Sequence, residues 1–403
     1  MFLALRRRAG GTARTVDLHA RQGKGPSRGG IGYRSGVVAR SWMTVVVVLV
    51  LLVGCSPQLS PTTSDTFGPS PSGSPVSGSS VVPSSPTTMT GWQEVASGPA
   101  PTAREDHTWT VTPDGTTAYL FGGRDMGTVY DDLWEYSLAT GAWSLVTPAG
   151  ERPPGRFGHN AAWADGVGLV IFGGQAGADF FNDLWAYDPA SNAWRPLPAS
   201  GAIPVPRYGS CAAIGPDGRL WISHGFTNEG QRFADTRAYD FAVGAWTDET
   251  PAGDAPIRRC LHACWWTDDG GLILYGGQTT GTTALGDLWR LTPGERPGTN
   301  AWAELHPADG LPPERNLHSA ARWGPGTVVF GGQGLDSTYL ADAWWLADDA
   351  AVLPLDPGDG APSPRSGSEL IVDTTHGRLL LFGGQDGEAA FDDLWGLSPS
   401  PLP

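Results

Sequence analysis

Lysine is almost absent from this 403-residue sequence: Lys24 stands near the start, and no lysine follows it. Residues 55–403 carry 17 arginines against 40 aspartates and glutamates, which leaves this part of the chain with a formal net charge of −23. A body this acidic lacks the dense positive charge with which proteins neutralise phosphate groups. We therefore expect it to bind neither nucleic acid nor an anionic membrane surface.

The sequence also lacks an apolar run long enough to span a bilayer, which takes roughly 20 residues. The most apolar stretch, Trp42–Cys55, is shorter and follows Arg34 and Arg40, an order typical of a secretory signal peptide. Its end, Leu52–Cys55, resembles the lipobox of bacterial lipoproteins, whose cysteine is lipid-modified and becomes the first mature residue. The resemblance implies a protein anchored outside the bacterial cytoplasm through Cys55. An ordinary secretory signal that happens to contain a cysteine is the alternative.

Composition divides the chain into four parts. Residues 1–54 form the leader, which is long for a signal peptide, so we expect translation to start downstream, near Val37 or Val38. Residues 55–90 consist mostly of Ser, Pro, Thr and Gly, with Asp65 as their one charged residue, and cannot bury enough apolar surface to fold. They predict a flexible tether, followed by a folded body over residues 91–398 and a short tail over 399–403.

Sequence motifs of the common enzyme classes are missing as well. We find no GxSxG, no HExxH, no phosphate-binding loop and no dinucleotide-binding fingerprint. The Asp-Gly turns lack the regularly spaced acidic residues of a calcium-binding loop. The sequence therefore predicts no cofactor and no catalytic residue.

The sequence does contain a repeated motif. An apolar run ends at two glycines, a polar loop follows, and Asp-Leu-Trp opens a second apolar run, as in LVIFGGQAGADFFNDLWAY at Leu169–Tyr187. Six copies place this pair at 122, 173, 224 (His-Gly in this copy), 276, 331 and 383. A nearly constant spacing of 51 to 55 residues indicates a repeat architecture.

Each repeat carries four short strand signals separated by turn residues. In the second copy they fall at His159–Ala164, Gly168–Gly174, Asn182–Asp188 and Ala193–Leu197. Four short strands per unit at regular spacing predict one blade of an all-β propeller.

This pattern resembles the kelch family over residues 91–398. The diglycine follows strand two (Gly173-Gly174), an aromatic residue lies in strand three (Tyr187), and a tryptophan lies near strand four (Trp194). The resemblance implies a β-propeller. Physically, the glycines allow a backbone conformation that side chains resist, and the tryptophans supply apolar area between blades.

The two ends of the repeat region predict the number of blades. The sixth repeat stops at Asp393–Leu397 without a fourth strand, and an orphan strand at Trp92–Val95 aligns with Trp143–Val146. The N-terminal strand near Trp92 should complete the last blade, because this closes the ring and leaves no unpaired edge. We predict six blades.

One arginine precedes the first strand of every repeat, at Arg104, Arg156, Arg207, Arg259, Arg315 and Arg365. First strands line the channel of a propeller, so these guanidiniums would ring one mouth, where the kelch resemblance implies contact with an acidic ligand. In the alternative, each arginine pairs with the aspartate that also recurs in every repeat, at Asp132, Asp183, Asp235, Asp287, Asp342 and Asp393. A paired guanidinium has five donors and could still offer some to a ligand.

Histidine recurs three residues after the arginine, at His107, His159, His262 and His318, and Ser210 and Ser368 take the two remaining places. Histidine is a common metal ligand, but a ring of four on separate blades is too wide to share one ion. We therefore interpret these histidines as structural and predict no metal site.

Cys260, His262 and Cys264 alternate along one predicted strand and should face one way, whereas Cys211 is in register with Ala263 and should face the other. The spacing matches no zinc motif. A bond between Cys260 and Cys264 along one strand would strain the ~5.5 Å Cα distance that a disulfide prefers. Buried free thiols, or one bridge between blades, are the two outcomes that we expect.

Two functions fit these observations. The first is a monomeric, membrane-anchored binding module that contacts a protein partner or an acidic small ligand. Its contacts would come from the arginine ring or from the loops after the diglycines, which differ from blade to blade. The second is an exported enzyme acting on a small acidic sugar or another anion at the channel mouth, with Glu105 or Glu314 beside the arginines. The variable loops favour binding.

Overall fold

A computed structural model describes residues 91–398 except 97, 229, 297, 357 and 359. The predicted leader, tether and tail, and with them Cys55, lie outside the described residues. Within them, no helix is both long enough and apolar enough to cross a membrane. The described chain is built from short β-strands, with single turns of 3-10 helix at Thr280–Thr282 and Leu335–Ser337.

Six antiparallel sheets, which we call blades 1 to 6, follow one another along the chain, and each has four main strands. The strands of blades 1, 2 and 3 are Thr108–Val111, Thr117–Phe121, Leu133–Ser137 and Ala142–Val146; Asn160–Ala164, Gly168–Phe172, Leu184–Asp188 and Ala193–Pro196; and Cys211–Ile214, Leu220–Ser223, Thr236–Asp240 and Ala245–Asp248. Those of blades 4, 5 and 6 are Ala263–Trp266, Leu272–Gln278, Ala284–Thr292 and Ala301–Leu305; Ser319–Arg322, Gly326–Gln333, Tyr339–Ala347 and Val352–Leu355; and Glu369–Asp373, Arg378–Phe382, Leu394–Leu397 and Trp92–Glu94.

Two small elements depart from this plan. Ser200–Gly201 adds a short parallel strand outside blade 3, beside Ala245 and Trp246. Gln175–Ala176 and Asp179–Phe180 form a two-stranded hairpin in the loop after the second diglycine. The four strands predicted for the second repeat are confirmed to within two residues at each end.

The blades form a closed ring. The first strand of each blade contacts the first strand of the next, and the first strand of blade 6 contacts that of blade 1. Trp92 pairs with Leu397 and Glu94 with Trp395, so the N-terminal strand is the outer strand of blade 6. This confirms the predicted six-bladed all-β propeller and its closure near Trp92.

The diglycines and tryptophans have the roles expected of them. Gly173 and Gly174 have φ values of 67° and 92°, and a Cβ atom on Gly174 would lie 2.7 Å from the Cβ of His159. Trp194 lies in the outer strand of blade 2 and packs against Phe121 of blade 1, with ring centroids 5.2 Å apart. Outer-strand tryptophans thus fill the space between blades, where much of the apolar core lies.

Candidate functional site

The mouth face is the end of the propeller that carries two sets of loops. One set follows the diglycines, and the other leads to the six repeat arginines. The two sets meet because the residue after each arginine forms a β-bridge with the residue after the diglycine of the same blade, as Phe157 does with Gln175. The central channel opens among these loops, so ligands that approach this end meet both sets.

Each repeat arginine is buried and holds the aspartate of its own blade in a two-pronged ion pair. The twelve N–O distances lie between 2.6 and 3.0 Å. In blade 2, Nη1 of Arg156 also donates to the carbonyl of Gly173, and Nε donates to that of Pro154. The pairs are Arg104–Asp132, Arg156–Asp183, Arg207–Asp235, Arg259–Asp287, Arg315–Asp342 and Arg365–Asp393.

These pairs tie three segments of a blade together at its mouth end. Burial alone would raise the pKa of the Asp183 carboxyl, but the hydrogen bond and the charge of Arg156 outweigh it and lower that pKa. The same balance lowers the pKa values of Asp235, Asp287 and Asp342. Five of the aspartates also accept the indole N–H of the tryptophan two residues later, as Asp183 does from Trp185 at 2.8 Å. This bond explains why Asp-x-Trp recurs with the repeat.

The geometry differs from the arginine ring expected at the mouth. None of the six guanidiniums lines either central cavity. In Arg104 and Arg365 all five N–H groups have partners within the chain, because Thr102 and Ser363 accept the fifth. Ligand binding by these arginines stays a prediction, and the contacts described give them a role in holding the loops of the mouth face.

The channel mouth is framed by a ring of six residues that sequence reasoning missed. Each lies two positions after a repeat arginine, and each backbone N–H donates to the carbonyl of its counterpart in the preceding blade, at 2.7 to 3.0 Å. All six have φ between 53° and 67°. We call them the mouth ring: Asp106, Gly158, Gly209, Leu261, Leu317 and Gly367.

The mouth ring explains part of the local sequence. Its glycines make room for side chains of the next blade: a Cβ atom on Gly158 would overlap the ring of Tyr208, and one on Gly209 would lie 2.7 Å from Leu261. Small residues at these positions give the only visible signal, but Asp106, Leu261 and Leu317 interrupt it. The closed hydrogen-bonded circle itself depends on contacts between blades and has no signature within one repeat.

The four repeat histidines pack between blades. Each ring meets an aromatic ring of the preceding blade edge-on, with centroids 5.2 to 5.6 Å apart. The partner is the residue just before the diglycine, except in blade 3, where it is the histidine of the His-Gly pair. The contacts are His107–Phe382, His159–Phe121, His262–His224 and His318–Tyr275. Burial, reinforced by the neighbouring Arg104 and Arg315, lowers the pKa of His107 and of His318 to about 3. These imidazoles are therefore neutral packing groups at physiological pH.

Three carboxyl groups lie close together on the side of the mouth where blades 6 and 1 meet, and they belong to Glu105, Asp106 and Glu369. Glu369 lines both central cavities, of about 130 and 190 Å³, and its side-chain carboxyl has no hydrogen bond or ion pair to another described residue. Arg124 forms ion pairs of 3.0 Å with Glu105 and with Asp106. Burial, followed by repulsion from Asp106, raises the pKa of Glu369 to about 8 and that of Glu105 to about 7. This side of the mouth therefore carries carboxyl groups with raised pKa values, not free guanidiniums of the repeat arginines.

Sequence reasoning named Glu105 but missed Asp106, Arg124 and Glu369. Glu369 stands at a repeat position that is otherwise Thr, Asn, Cys, Ala or Ser, and this departure from the repeat was the available signal. Glu314, the other acid expected in the mouth, is exposed and lines neither central cavity. No group of three or more His, Cys, Asp or Glu residues in the described ranges could hold a metal ion.

The cysteines form one bridge between blades. Cys211 of blade 3 is bonded to Cys264 of blade 4, their Cα atoms are 5.7 Å apart, and Cys260 is a buried free thiol. This confirms the second of the two expected outcomes. Cys211 and Cys264 do point to opposite faces of their respective blades, and these faces meet because consecutive blades stack face to face.

Comparison with known proteins independently supports the resemblance to the kelch family. Residues 81–271 and 244–401 match the model of the KLHDC2/KLHL20/DRC7 Kelch-repeats domain. Multiple epidermal growth factor-like domains protein 8 of Rattus norvegicus is 30% identical over 332 residues, which are 75% of this chain and 12% of that protein. Adagio-like protein 3 of Oryza sativa subsp. japonica is 29% identical over 295 residues, 68% of this chain and 45% of that protein. The chain thus spans less than half the length of these relatives.

Proposed function

Because this chain belongs to the kelch-repeat family, we propose that it is a membrane-anchored, extracytoplasmic module that binds a protein partner through its mouth face. The rigid part of this face comes from the Arg–Asp pairs and the mouth ring. The variable part comes from the loops after the diglycines, whose sequences differ from blade to blade. A rigid scaffold with variable loops is the usual arrangement of a recognition surface.

The distribution of exposed apolar side chains is the observation that carries this proposal. Eight large apolar side chains are exposed in the described part of the chain, and six of them lie in mouth-face loops. They are Met126, Val129, Ile203, Val205, Ile257 and Leu335. An excess of exposed apolar side chains at one end of a domain favours that end as the surface that a protein partner covers.

The mouth-face loops also mix these apolar groups with aromatic and charged ones. The guanidinium of Arg124 lies 4.1 Å above the ring of Phe157, and the Arg124 side chain remains one-third exposed. Arg232 similarly lies over Phe226. Arginine stacked on an aromatic ring is pre-positioned for a partner, and this combination is enriched at protein interfaces.

The anchoring part of the proposal rests on the lipobox-like sequence that ends at Cys55. The disulfide between Cys211 and Cys264 supports an extracytoplasmic location, because disulfides persist in oxidising compartments and are rare in the cytosol. Lipid on Cys55 would hold the protein at the membrane, and residues 56–90 would let the propeller reach a partner away from it.

The alternative function, an enzyme acting on a small acidic sugar, gains no specific support. It needs free positive charge in the channel mouth, but the repeat arginines are paired and buried there, and the cavities are lined by the carboxyl of Glu369. Burial raises the pKa of Glu369 to about 8, so at neutral pH its protonated carboxyl offers an acidic substrate no opposite charge.

Site-specific crosslinking tests the proposed surface. A photoreactive residue at position 126 or 335, on the mouth face, should crosslink to the same protein in intact cells. The matched control is position 243, because Val243 is 70% exposed and Met126 86%, but Val243 lies in a loop at the opposite end of the propeller. Equal crosslinking from position 243, or no adduct from 126 and 335, would contradict the proposal.

A second experiment tests the anchor separately. Replacement of Cys55 by Ala should release the protein from the membrane fraction while the propeller still crosslinks to its purified partner. If the Cys55→Ala protein stays in the membrane fraction, the lipid anchor is wrong and the binding surface remains intact as a proposal.

A further inference from the structure

The loop between the third and outer strands of blade 4 is longer than its counterparts. In blades 1, 2 and 3 the repeat aspartate and the outer-strand tryptophan are 11 positions apart, as Asp183 and Trp194 are, whereas Asp287 and Trp302 are 15 apart. The described residues of this longer loop, 293–296 and 298–300, lie at the end of the strands opposite to the mouth face. An insertion that the repeat does not need is a common place for a binding site.

Buried polar side chains hold this insertion against blade 3. The amide of Asn300 donates to the backbone carbonyl of Glu249 at 2.8 Å and to its carboxylate at 3.0 Å, and the Asn300 side-chain oxygen accepts the N–H of Gly294 at 2.9 Å. Glu249 in turn accepts a hydrogen bond of 2.7 Å from Arg219. Glu249 and Asn300 are 2% and 4% exposed, so a pre-organised polar network closes one side of the space between the blades.

This network lines a cavity of about 260 Å³ that has an aromatic wall. Trp221 of blade 3 and Trp266 of blade 4 meet edge to face there, with ring centroids 5.4 Å apart. Trp266 is half-buried, and its indole N–H has no partner among the described residues. Glu295 and Arg296 stand exposed on the rim, and neither forms an ion pair within the described ranges.

The geometry points to a binding site for a neutral sugar ring between blades 3 and 4. A sugar ring needs an aromatic surface for its apolar C–H face together with donors and acceptors for its hydroxyl groups. Trp266 supplies the first, and Arg219, Glu295 and Arg296 supply the second. The volume lies just below the roughly 300 Å³ at which drug-sized pockets begin, so it fits a single ring.

Other ligand classes fit less well. The three acids and two arginines of the cavity leave a net charge of −1, which disfavours an anion. A quaternary ammonium ion would share the cavity with the guanidiniums of Arg219 and Arg296, and Arg219 already lies 5.0 Å from the ring centroid of Trp221. A purely apolar ligand would leave the charged groups of the cavity without partners. A neutral polyhydroxylated ring carries no charge to be repelled, and its hydroxyl groups can pair with the polar groups of the cavity.

Calorimetric titration of the full chain with glucose, galactose, mannose and N-acetylglucosamine tests the proposal. We expect at least one of them to bind with a dissociation constant on the order of 1 mM or lower. Arg296→Ala and Trp266→Leu should each weaken that binding about tenfold, the effect of losing one good contact. Arg296 is exposed, so its replacement should not affect folding even if that of Trp266 does.

The chain offers a matched control in Trp163, which holds the position of Trp266 in blade 2. Trp163→Leu should leave sugar affinity unchanged. The inference is overturned if no neutral sugar binds, if Arg296→Ala binds the sugar as tightly as the unmodified chain does, if Trp163→Leu weakens binding as much as Trp266→Leu does, or if glucuronate or choline binds more tightly than every neutral sugar. None of these outcomes depends on the mouth face.

Discussion

Thr108 of blade 1 and His159 of blade 2 are joined by a 2.9 Å hydrogen bond across the gap between their blades. Thr108 lies four positions after its repeat arginine, and His159 lies three positions after its own. The same offset joins Asn160 to Ser210 and Ser319 to Ser368. Residues of opposite parity on consecutive inner strands therefore face each other, and this rule also places Cys211 opposite Cys264.

The disulfide should contribute strongly to stability. Cys211 and Cys264 are 53 positions apart, and a crosslink over a loop of this length constrains the unfolded chain by about 4 kcal/mol. We expect the Cys211→Ala/Cys264→Ala chain to lose about this much free energy of unfolding in urea titrations, together with its sensitivity to reductant. The control is Cys260→Ala at the buried free thiol, whose stability should still fall on reduction. A double variant as stable as the oxidised parent would contradict the bridge.

The arginine pairs should matter for folding far more than surface pairs do. Arg315→Ala leaves Asp342 partly buried with the indole of Trp344 as its remaining side-chain partner, which should cost about 3–5 kcal/mol of unfolding free energy. Arg315→Lys should recover little, because an ammonium group cannot make the two-pronged contact. Arg152→Ala breaks the exposed pair with Asp131 and should cost less than about 1 kcal/mol. Equal urea midpoints for Arg315→Ala and Arg152→Ala would refute the structural role.

Stability should fall as pH rises because of Glu369. Its pKa is raised to about 8 in the folded chain, against 4.5 as the ordinary value, mainly by burial and then by Asp106. Between these values the folded state holds a proton that the unfolded state has lost, so the unfolding free energy declines by at most about 1.4 kcal/mol per pH unit. The contribution of Glu369 to the unfolding free energy is fully present below pH 4.5 and is lost as the pH rises through 8.

Replacing Glu369 by Gln should flatten this decline between pH 5 and pH 8, measured by urea unfolding at several pH values. The pKa of Glu105 is also raised, so Glu105 contributes part of this decline with pH in both proteins. Glu388→Gln, at an exposed position of the mouth face, is the matched control and should leave the slope unchanged. An unaltered slope in the Glu369→Gln chain would show that this carboxyl is not desolvated.

The mouth ring should tolerate no side chain at Gly158. Gly158 and Gly166 have φ values of 57° and 70°, so alanine at either position carries a left-handed strain of about 1–2 kcal/mol. At Gly158 the added methyl group also collides with Tyr208, whereas nothing lies within 4 Å of a Cβ atom at Gly166. Gly158→Ala should therefore lose about 1–3 kcal/mol more than Gly166→Ala in thermal or urea unfolding. Equal losses would mean that Tyr208 moves aside freely.

The sequence by itself determined the fold, because every element of a propeller blade is local. The period of the diglycine pairs, the four strand signals per repeat and the missing fourth strand after Leu397 were enough to predict six blades and their closure at Trp92. The Arg–Asp pairs were also visible as one of two alternatives, since both residues recur at fixed positions in each repeat.

Only the tertiary structure decided what meets across the gaps between blades. The mouth ring, the Cys211–Cys264 bridge and the cluster around Glu369 join residues about 50 positions apart, or from opposite ends of the chain, and no pattern within one repeat encodes them. The tertiary structure also decided the direction in which each repeat guanidinium points. Each guanidinium turns toward the aspartate of its own blade because a buried charge requires a partner, and none of the six guanidiniums therefore lines the central cavities.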